Sequence, residues 1–189
     1  GEEVLKLKDI GVKDSKSISD NTIHKIGQKI RKAYSYHIVK INPLKYNELY
    51  QKFGNLNHLL AWGHATTIEA LVSKTRCTNV LIDQFAAEKV VLTALKRKNL
   101  DVNLHQRHRG EEDLVVAAAS ILARQEFLNG LAKLGIDFSM KLPKGASSMT
   151  IEAGGRFLIK YGREAMKNVA KLHFKTLDAI LSKNPKYRI

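Results

Sequence analysis

Two acidic groups in this sequence have the residue types and the surroundings of a divalent metal site. Asp83 lies in the apolar run 80–85, and Glu111, Glu112 and Asp113 come just before an alanine-rich segment. A carboxylate on a buried strand is costly unless something neutralises it. Carboxylate oxygens are also the ligands that Mg²⁺ prefers. We therefore expect the two groups to share a cation; the alternative for Asp83 is a solvated residue at a strand end.

The hydrophobic pattern places both acidic groups in a strand-helix alternation. It predicts strands at 79–85 and 102–105, and helices at 86–98 and 114–134. Alanines at the start of the predicted helix at 114–134 permit close packing. Further predicted elements are a helix capped by Ser19, a strand at 36–41, a helix from 43 to about 54, a longer helix opening at Asn55 or Asn57, a loop at 135–148, and helices at 150–161 and 163–182.

Length and composition predict one domain over residues 1–189. The chain has 44% hydrophobic residues, enough to bury a core, and we see no repeat or linker. Cys77 is the sole cysteine, so no intrachain disulfide is possible. We find no signal peptide and expect no apolar stretch long enough to cross a bilayer. The prediction is a cytoplasmic protein with no membrane partner.

The charge of the chain favours polyanionic partners. The formal net charge is +14 and the sequence pI is about 9.9, both large for 189 residues. Nucleic acid is the expected partner of such a basic chain. The alternative is a solvated lysine surface that binds nothing.

Five motifs follow one another along the chain in an order that is typical of one family. They are residues 11–16 (GVKDSK), 81–85 (LIDQF), the acidic cluster with 117–124 (AAASILAR), 142–146 (LPKGA) and 171–174 (KLHF). In this order they resemble bacterial ribonuclease HIII, a branch of the type 2 ribonucleases H. The resemblance implies an α/β, ribonuclease H-like fold with a central mixed sheet flanked by helices.

The resemblance also implies an activity and a metal site. It implies endonucleolytic hydrolysis of the RNA strand of RNA/DNA hybrids, with two Mg²⁺ or Mn²⁺ ions held by four carboxylates. Asp83 matches the strand aspartate of the family. The family places a partner carboxylate about ten residues before the serine of the AAAS segment, where this sequence has Gly110. We predict Glu111, one residue on, as this ligand and Glu112 as the second choice; the alternative is that some of the triplet only complements the positive end of the helix dipole.

The substrate contacts that we predict are Ser15, Lys16 and Lys144. The first two lie in the Asp14-Ser15-Lys16 loop, ahead of a capped helix, where backbone N–H groups, a hydroxyl and an ammonium can together bind a phosphate. Asp14 itself is expected to form a local turn. Lys144, beside Gly145, is predicted to reach phosphate from a flexible loop, and the alternative is an exposed lysine without a role.

We expect the first strands of the family's sheet to be missing from this sequence. Members of the family begin with a strand that bears an adjacent Asp-Glu pair, and neither Glu2 nor Glu3 has that setting. We therefore expect a C-terminal part of the catalytic domain, completed by an upstream segment, another polypeptide or self-association. The isolated chain is expected to be inactive. The alternative function is a non-catalytic nucleic-acid-binding module that retains the nuclease fold.

Overall fold

The computed structural model describes residues 2–187, which form eight α-helices and a small parallel sheet. The helices are α1 (Glu2–Ile10), α2 (Asp20–Ala33), α3 (Pro43–Phe53), α4 (Leu56–Thr75), α5 (Glu88–Lys96), α6 (Leu114–Asp137), α7 (Ser148–Tyr161) and α8 (Lys175–Ser182). The strands are β1 (Asn79–Asp83) and β2 (Asn103–Arg107). Short 3₁₀ turns occur at Ser15–Ser17, Gly110–Glu112, Glu164–Asn168 and Pro185–Tyr187. The sequence pattern predicts α2 to α7 but not α1, and it predicts one helix at 163–182 where the structure has a 3₁₀ turn and α8.

Strands β1 and β2 form a parallel pair connected through α5. Their register runs from Asn79 opposite Asn103 to Asp83 opposite Arg107. The sheet has two strands within residues 2–187, so the predicted mixed sheet is present there only as this parallel pair. Because both strands are parallel, their carboxyl ends meet at one edge. Asp83 ends β1 at that edge.

Two compact units can be distinguished in the chain. The first contains residues up to Lys40 together with Phe53–Phe127, and the second contains Ile41–Lys52 and the residues from Leu128 onward. The prediction of a single domain stays a prediction. In the first unit, small and branched side chains of α4 and α5 pack with Ile82 of β1 in a buried core: Ala61, Ala65, Ile68, Val91 and Leu95.

Helix α6 is, by length and composition alone, apolar enough to cross a membrane. The expectation that no segment reaches this length is therefore wrong. In the first unit, however, its polar side chains are bonded to protein groups. Gln125 is 4% exposed, donates to the His24 carbonyl at 3.1 Å and accepts from Arg31 at 2.9 Å. Such contacts are those of a core helix.

The predicted strand at 36–41 is wrong, because this segment is irregular in the structure. A strand gains its stability from a hydrogen-bonded neighbour, and no other strand pairs with this segment within residues 2–187. Its side chains pack against helices instead. The Arg31 guanidinium lies 4.8 Å from the centre of the Tyr36 ring, and Lys40 pairs with Glu126 at 3.3 Å.

The predicted helix at 163–182 is also wrong, because it is broken in the middle. A 3₁₀ turn at Glu164–Asn168 is followed by non-helical residues before α8 begins. Asn47 of α3 explains the break. Its amide donates to the carbonyls of Lys167 and Ala170 and its side-chain oxygen accepts the N–H of Leu172 at 2.9 Å. These backbone groups therefore have partners without a continuous helix.

The aromatic cluster next to this break contains a histidine that is stacked on the Tyr50 ring and lies against the tilted Phe174 ring. His173 lies 3.9 Å from Tyr50 and 4.1 Å from Phe174, measured between ring centres. Its Nδ1 is buried without a hydrogen-bond partner. Loss of hydration lowers the pKa of His173, and the nearby Lys171 ammonium lowers it further. Burial likewise lowers the pKa of Lys171, whose ammonium lies 4.5 Å from the centre of the Tyr46 ring.

We expect the stability of the second unit to fall as the pH is lowered from 7 through 6.5, the ordinary pKa of histidine. The folded pKa of His173 is depressed, so the unfolded chain binds the proton more readily and protons favour unfolding in this window. Urea unfolding of wild type and His173→Gln at pH 7.5 and 5.5 tests this. The variant should lose less stability than wild type on acidification, whereas the exposed-histidine control His58→Gln should behave as wild type. Equal losses in all three would contradict it.

Candidate metal and nucleic-acid site

The end of β1 and the acidic turn are in direct contact through Gly110. The Gly110 N–H donates to Oδ1 of Asp83 at 2.9 Å. A Cβ added to Gly110 would lie 2.8 Å from the Asp83 Cα, closer than real Cβ atoms approach backbone. Only glycine therefore fits at this position. The structure thus brings Asp83 next to the residue that precedes Glu111.

The three acidic residues of the triplet have different partners. Oε1 of Glu111 lies 3.6 Å from the Lys16 ammonium, and its side chain is 28% exposed. Glu112 lies 3.5 Å from Arg107 and 3.9 Å from Arg109. In these contacts Glu111 uses one carboxylate oxygen, whereas both carboxylate oxygens of Glu112 lie near a guanidinium.

Asp113 is the N-terminal cap of α6. Its Oδ1 accepts the N–H groups of Val115 at 2.8 Å and Val116 at 3.4 Å. These are two of the backbone donors that a helix start leaves without internal partners. Asp113 therefore has the helix-start role that we considered for part of the triplet. Glu111 and Glu112 remain as candidate ligands.

The Asp14-Ser15-Lys16 loop forms a tight turn before α2. Oδ1 of Asp14 accepts the N–H of Lys16 at 3.0 Å, which is the expected turn-forming role. Lys16 is 81% exposed and points its ammonium at Glu111. Ser15 differs from expectation: it is 4% exposed, and its hydroxyl bonds to the Ser120 hydroxyl at 2.7 Å. A buried, bonded hydroxyl has little access to a phosphate, so the structure gives Ser15 an internal contact.

An open cleft of about 400 Å³ adjoins this loop and the acidic turn. Cationic, acidic and apolar residues line it: Val12, Lys13, Asp14, Arg109, Glu111, Glu112, Leu114 and Ala117. Cationic side chains can bind phosphate, and carboxylates can hold a cation. The cleft therefore offers both groups that phosphate chemistry with a divalent ion requires.

The donor set of the described residues fits part of a magnesium site. No group of three or more His, Cys, Asp or Glu side chains able to hold a metal ion occurs within residues 2–187. Mg²⁺, however, commonly keeps several waters and takes only one or two carboxylates together with substrate phosphates. Asp83 with Glu111 satisfies that smaller requirement. Zinc is disfavoured, because the site lacks cysteine and paired histidine ligands.

Lys144 lies in the exposed loop between α6 and α7, in the second unit. The predicted phosphate contact of Lys144 stays a prediction. The sequence reasoning missed Ser120 and Arg124 of α6, both of which contact Ser15. Their spacing of four residues on an alanine-rich helix was the signal, because it places them on one helix face.

Comparisons with known proteins define the class of this protein. The sequence model of the ribonuclease HII family matches residues 1–177. Since the match extends over nearly the whole chain, this chain belongs to the ribonuclease HII family. The resemblance to type 2 ribonucleases H is thereby confirmed.

Individual relatives carry the name ribonuclease HIII. The ribonuclease HIII of Protochlamydia amoebophila strain UWE25 is 62% identical over 178 residues, which cover 94% of this chain and 59% of that protein. The ribonuclease HIII of Chlamydia felis strain Fe/C-56 is 46% identical over 182 residues, 95% of this chain and 61% of that protein. The chain therefore spans about 60% of the length of these two relatives.

A solved structure supports the fold. The crystal structure of Bst-RNase HIII in complex with Mn²⁺ is 28% identical, with a TM-score of 0.88, and the match covers 98% of this chain and 62% of that chain. A mutant form of the same enzyme gives a TM-score of 0.86 at 29% identity, over 96% of this chain and 61% of that chain. The ribonuclease H-like α/β fold is confirmed.

We expect Gly110→Ala to destabilise the protein by about 1–3 kcal/mol, because the added methyl group meets the Asp83 backbone and must displace either β1 or the turn. Thermal or urea unfolding measures the change. The control is Gly63→Ala in α4, where a Cβ meets nothing within 4 Å and where alanine should stabilise the helix by about 0.5–1 kcal/mol. Unchanged stability of Gly110→Ala would contradict the close contact.

Proposed function

We propose that this chain is part of the catalytic domain of an endonuclease that hydrolyses the RNA strand of RNA/DNA hybrids. The observation that carries the proposal is the 2.9 Å hydrogen bond from Gly110 to Asp83, because it fixes Glu111 beside the end of β1. Membership of the ribonuclease HII family and the net charge of +14 support a nucleic-acid substrate. The Mn²⁺ complex of Bst-RNase HIII supports a divalent cofactor, Mg²⁺ or Mn²⁺.

Asp83 and Glu111 are the proposed metal ligands, with Glu112 as the alternative to Glu111. When bound, a pair of divalent ions activates a water molecule and stabilises the leaving oxygen of an in-line displacement. The Gly110 N–H orients the Asp83 carboxylate and occupies one of its oxygens. The other oxygen remains for a cation. The Lys16 ammonium lies 3.6 Å from Oε1 of Glu111 and offsets part of the negative charge of the acidic turn.

Lys16 is the proposed contact with the substrate backbone, and Lys144 is a second one. Lys16 is exposed and adjoins the acidic turn, so its ammonium can bind a phosphate next to the cleaved bond. Ser15 supports this loop from inside. Selection of RNA over DNA requires a test for the 2′-hydroxyl, the group that differs between the two strands.

Two-metal catalysis requires more carboxylates than Asp83 and Glu111, and we propose that they come from outside residues 2–187. The open side of the sheet supports this, since β1 has one hydrogen-bonded neighbour among the described strands and an exposed edge accepts another strand. An upstream segment or a second copy can supply that strand. The isolated chain is then inactive, and the complete protein acts in the cytoplasm.

A non-catalytic nucleic-acid-binding module is the second candidate function. It is favoured by one observation: the described residues contain no cluster of three metal-ligating side chains. The two candidates differ in one assay. Cleavage of a labelled hybrid by the full gene product supports the nuclease, whereas hybrid binding without cleavage in Mg²⁺ or Mn²⁺ supports the module.

We expect Asp83→Asn to reduce hybrid cleavage by the full gene product by at least about 100-fold, since even groups that only orient a metal ligand contribute about 10- to 100-fold. Glu111→Gln should have an effect of similar size. Glu112→Gln is the matched comparison and should retain most of the activity. Single-turnover cleavage with Mn²⁺, together with calorimetric Mn²⁺ binding, measures both properties.

The outcomes of this test are distinct. A large loss in Glu112→Gln with little loss in Glu111→Gln would transfer the ligand role to Glu112. Full activity of Asp83→Asn would refute the proposed metal site.

We expect hybrid affinity to fall steeply with salt, because cationic side chains release counterions from the backbone. For about five phosphate contacts, the plot of log K against log salt should have a slope of roughly −4 to −5. Fluorescence anisotropy with Asp83→Asn, in which cleavage is expected to be slow, measures this slope between low and physiological salt. A slope near zero would refute binding through backbone phosphates.

A further inference from the structure

The loop that carries Lys16 is fastened to α6 by two side chains. The Ser120 hydroxyl bonds to the Ser15 hydroxyl at 2.7 Å. Four residues further along the helix, Arg124 donates through Nη1 to the Ser15 carbonyl. Residues four apart lie on the same face of a helix. Ser120 and Arg124 therefore contact both the side chain and the backbone of the residue next to Lys16.

Arg124 also joins the loop to the start of α2. Its Nη2 donates to Oδ1 of Asp20 at 2.7 Å, and the two side chains are 24% and 38% exposed. A guanidinium is planar, and its donors have a fixed geometry. One arginine thus sets the position of the Ser15 carbonyl relative to the first turn of α2. A lysine keeps the charge but has a single ammonium and cannot reproduce this bridge.

The backbone of the loop leaves little freedom between Ser15 and Lys16. The Lys16 N–H is bonded to Asp14, and the Ser17 N–H donates to the Asp14 carbonyl at 3.0 Å. The Ser15 carbonyl belongs to the peptide unit that contains the Lys16 nitrogen, and a peptide unit is planar. Fixing the Ser15 carbonyl therefore fixes the position from which the Lys16 side chain starts.

We propose that Ser120 and Arg124 are positioning residues that hold Lys16 in place for binding the backbone of the nucleic acid. Neither side chain touches the substrate; both act through the Ser15 peptide. The inference rests on the proposed function of Lys16 as a phosphate contact. It assigns a role in substrate binding to the serine and the arginine of the AAASILAR segment.

The test compares Arg124→Lys and Lys16→Gln in the full gene product. Loss of one phosphate contact reduces the magnitude of the salt slope of hybrid binding by about 1. Arg124→Lys keeps the net charge, so a reduced slope cannot result from lost bulk charge. We expect Arg124→Lys to reduce the slope as Lys16→Gln does and to raise KM more than it lowers kcat. The double variant should show no further reduction, because both changes remove the same contact.

A purely structural role of Arg124 predicts a different result. It lowers the midpoint of thermal unfolding but leaves the salt slope and KM at the wild-type values, and this outcome would overturn the inference. The control for altered surface charge is Arg97→Gln, an exposed arginine at the end of α5. If Arg124→Lys fails to fold, Ser120→Ala removes only the hydroxyl contact and should produce a smaller change in the same direction.

The experiment also separates this inference from the proposed function. An unchanged slope in Lys16→Gln would show that Lys16 is not a phosphate contact, and the proposed role of Lys16 fails. A reduced slope in Lys16→Gln with a wild-type slope in both Arg124→Lys and Ser120→Ala would leave that role intact and refute only the positioning role.

Discussion

The candidate site depends on the close approach of the Gly110 turn to the end of β1. A hydrogen bond of 2.9 Å and the absence of a side chain at Gly110 allow two segments 27 residues apart in the sequence to share one edge of the sheet. The acidic residues need this contact, because separate segments must converge before they can share a cation. The contact also brings Glu111 within 3.6 Å of Lys16, which links the acidic turn to the loop before α2.

Helix α6 is the second organising element, and its sequence explains why. Asp113 caps its first turn, and buried Ala117 and Ala118 let other segments approach closely. Ser120 and Arg124 then hold the Ser15 loop. A single segment thus combines a cap, a small-residue face and two polar anchors. Its apolar composition resembles that of a membrane span, yet these polar contacts are those of a helix in a folded domain.

The sequence predicts those parts of the fold that depend on local periodicity. The run of branched residues that ends at Asp83 identifies β1, and the helical spacing of apolar residues after it identifies α5 and α6. Segment 36–41 alternates in the manner of a strand, but pairing with a neighbouring strand decides whether such a segment becomes one. The break before α8 depends on Asn47, more than one hundred residues away in sequence. Local sequence patterns show neither which segments pair as strands nor which distant side chains bond to a given backbone segment.

In the candidate site, too, local features could be predicted from the sequence and contacts between distant residues could not. The residue types identify Asp83, the acidic triplet and Lys16 as site candidates, because carboxylates can bind a cation and an ammonium group can bind a phosphate. Burial of Ser15 could not be predicted, since it depends on Ser120 across the fold. The structure also separates the members of the triplet. Asp113 serves the helix, whereas Glu111 and Glu112 face cationic side chains.

The contact between Ser15 and Ser120 has a consequence for how the protein is made. The two serines are 105 residues apart in sequence, so closing this contact costs chain entropy that only a largely assembled domain repays. During synthesis the Ser15 loop leaves the ribosome long before α6 exists. The Ser15 loop can therefore bond to Ser120 and Arg124 only after α6 has been synthesised and packed. We expect this loop to become ordered late in folding.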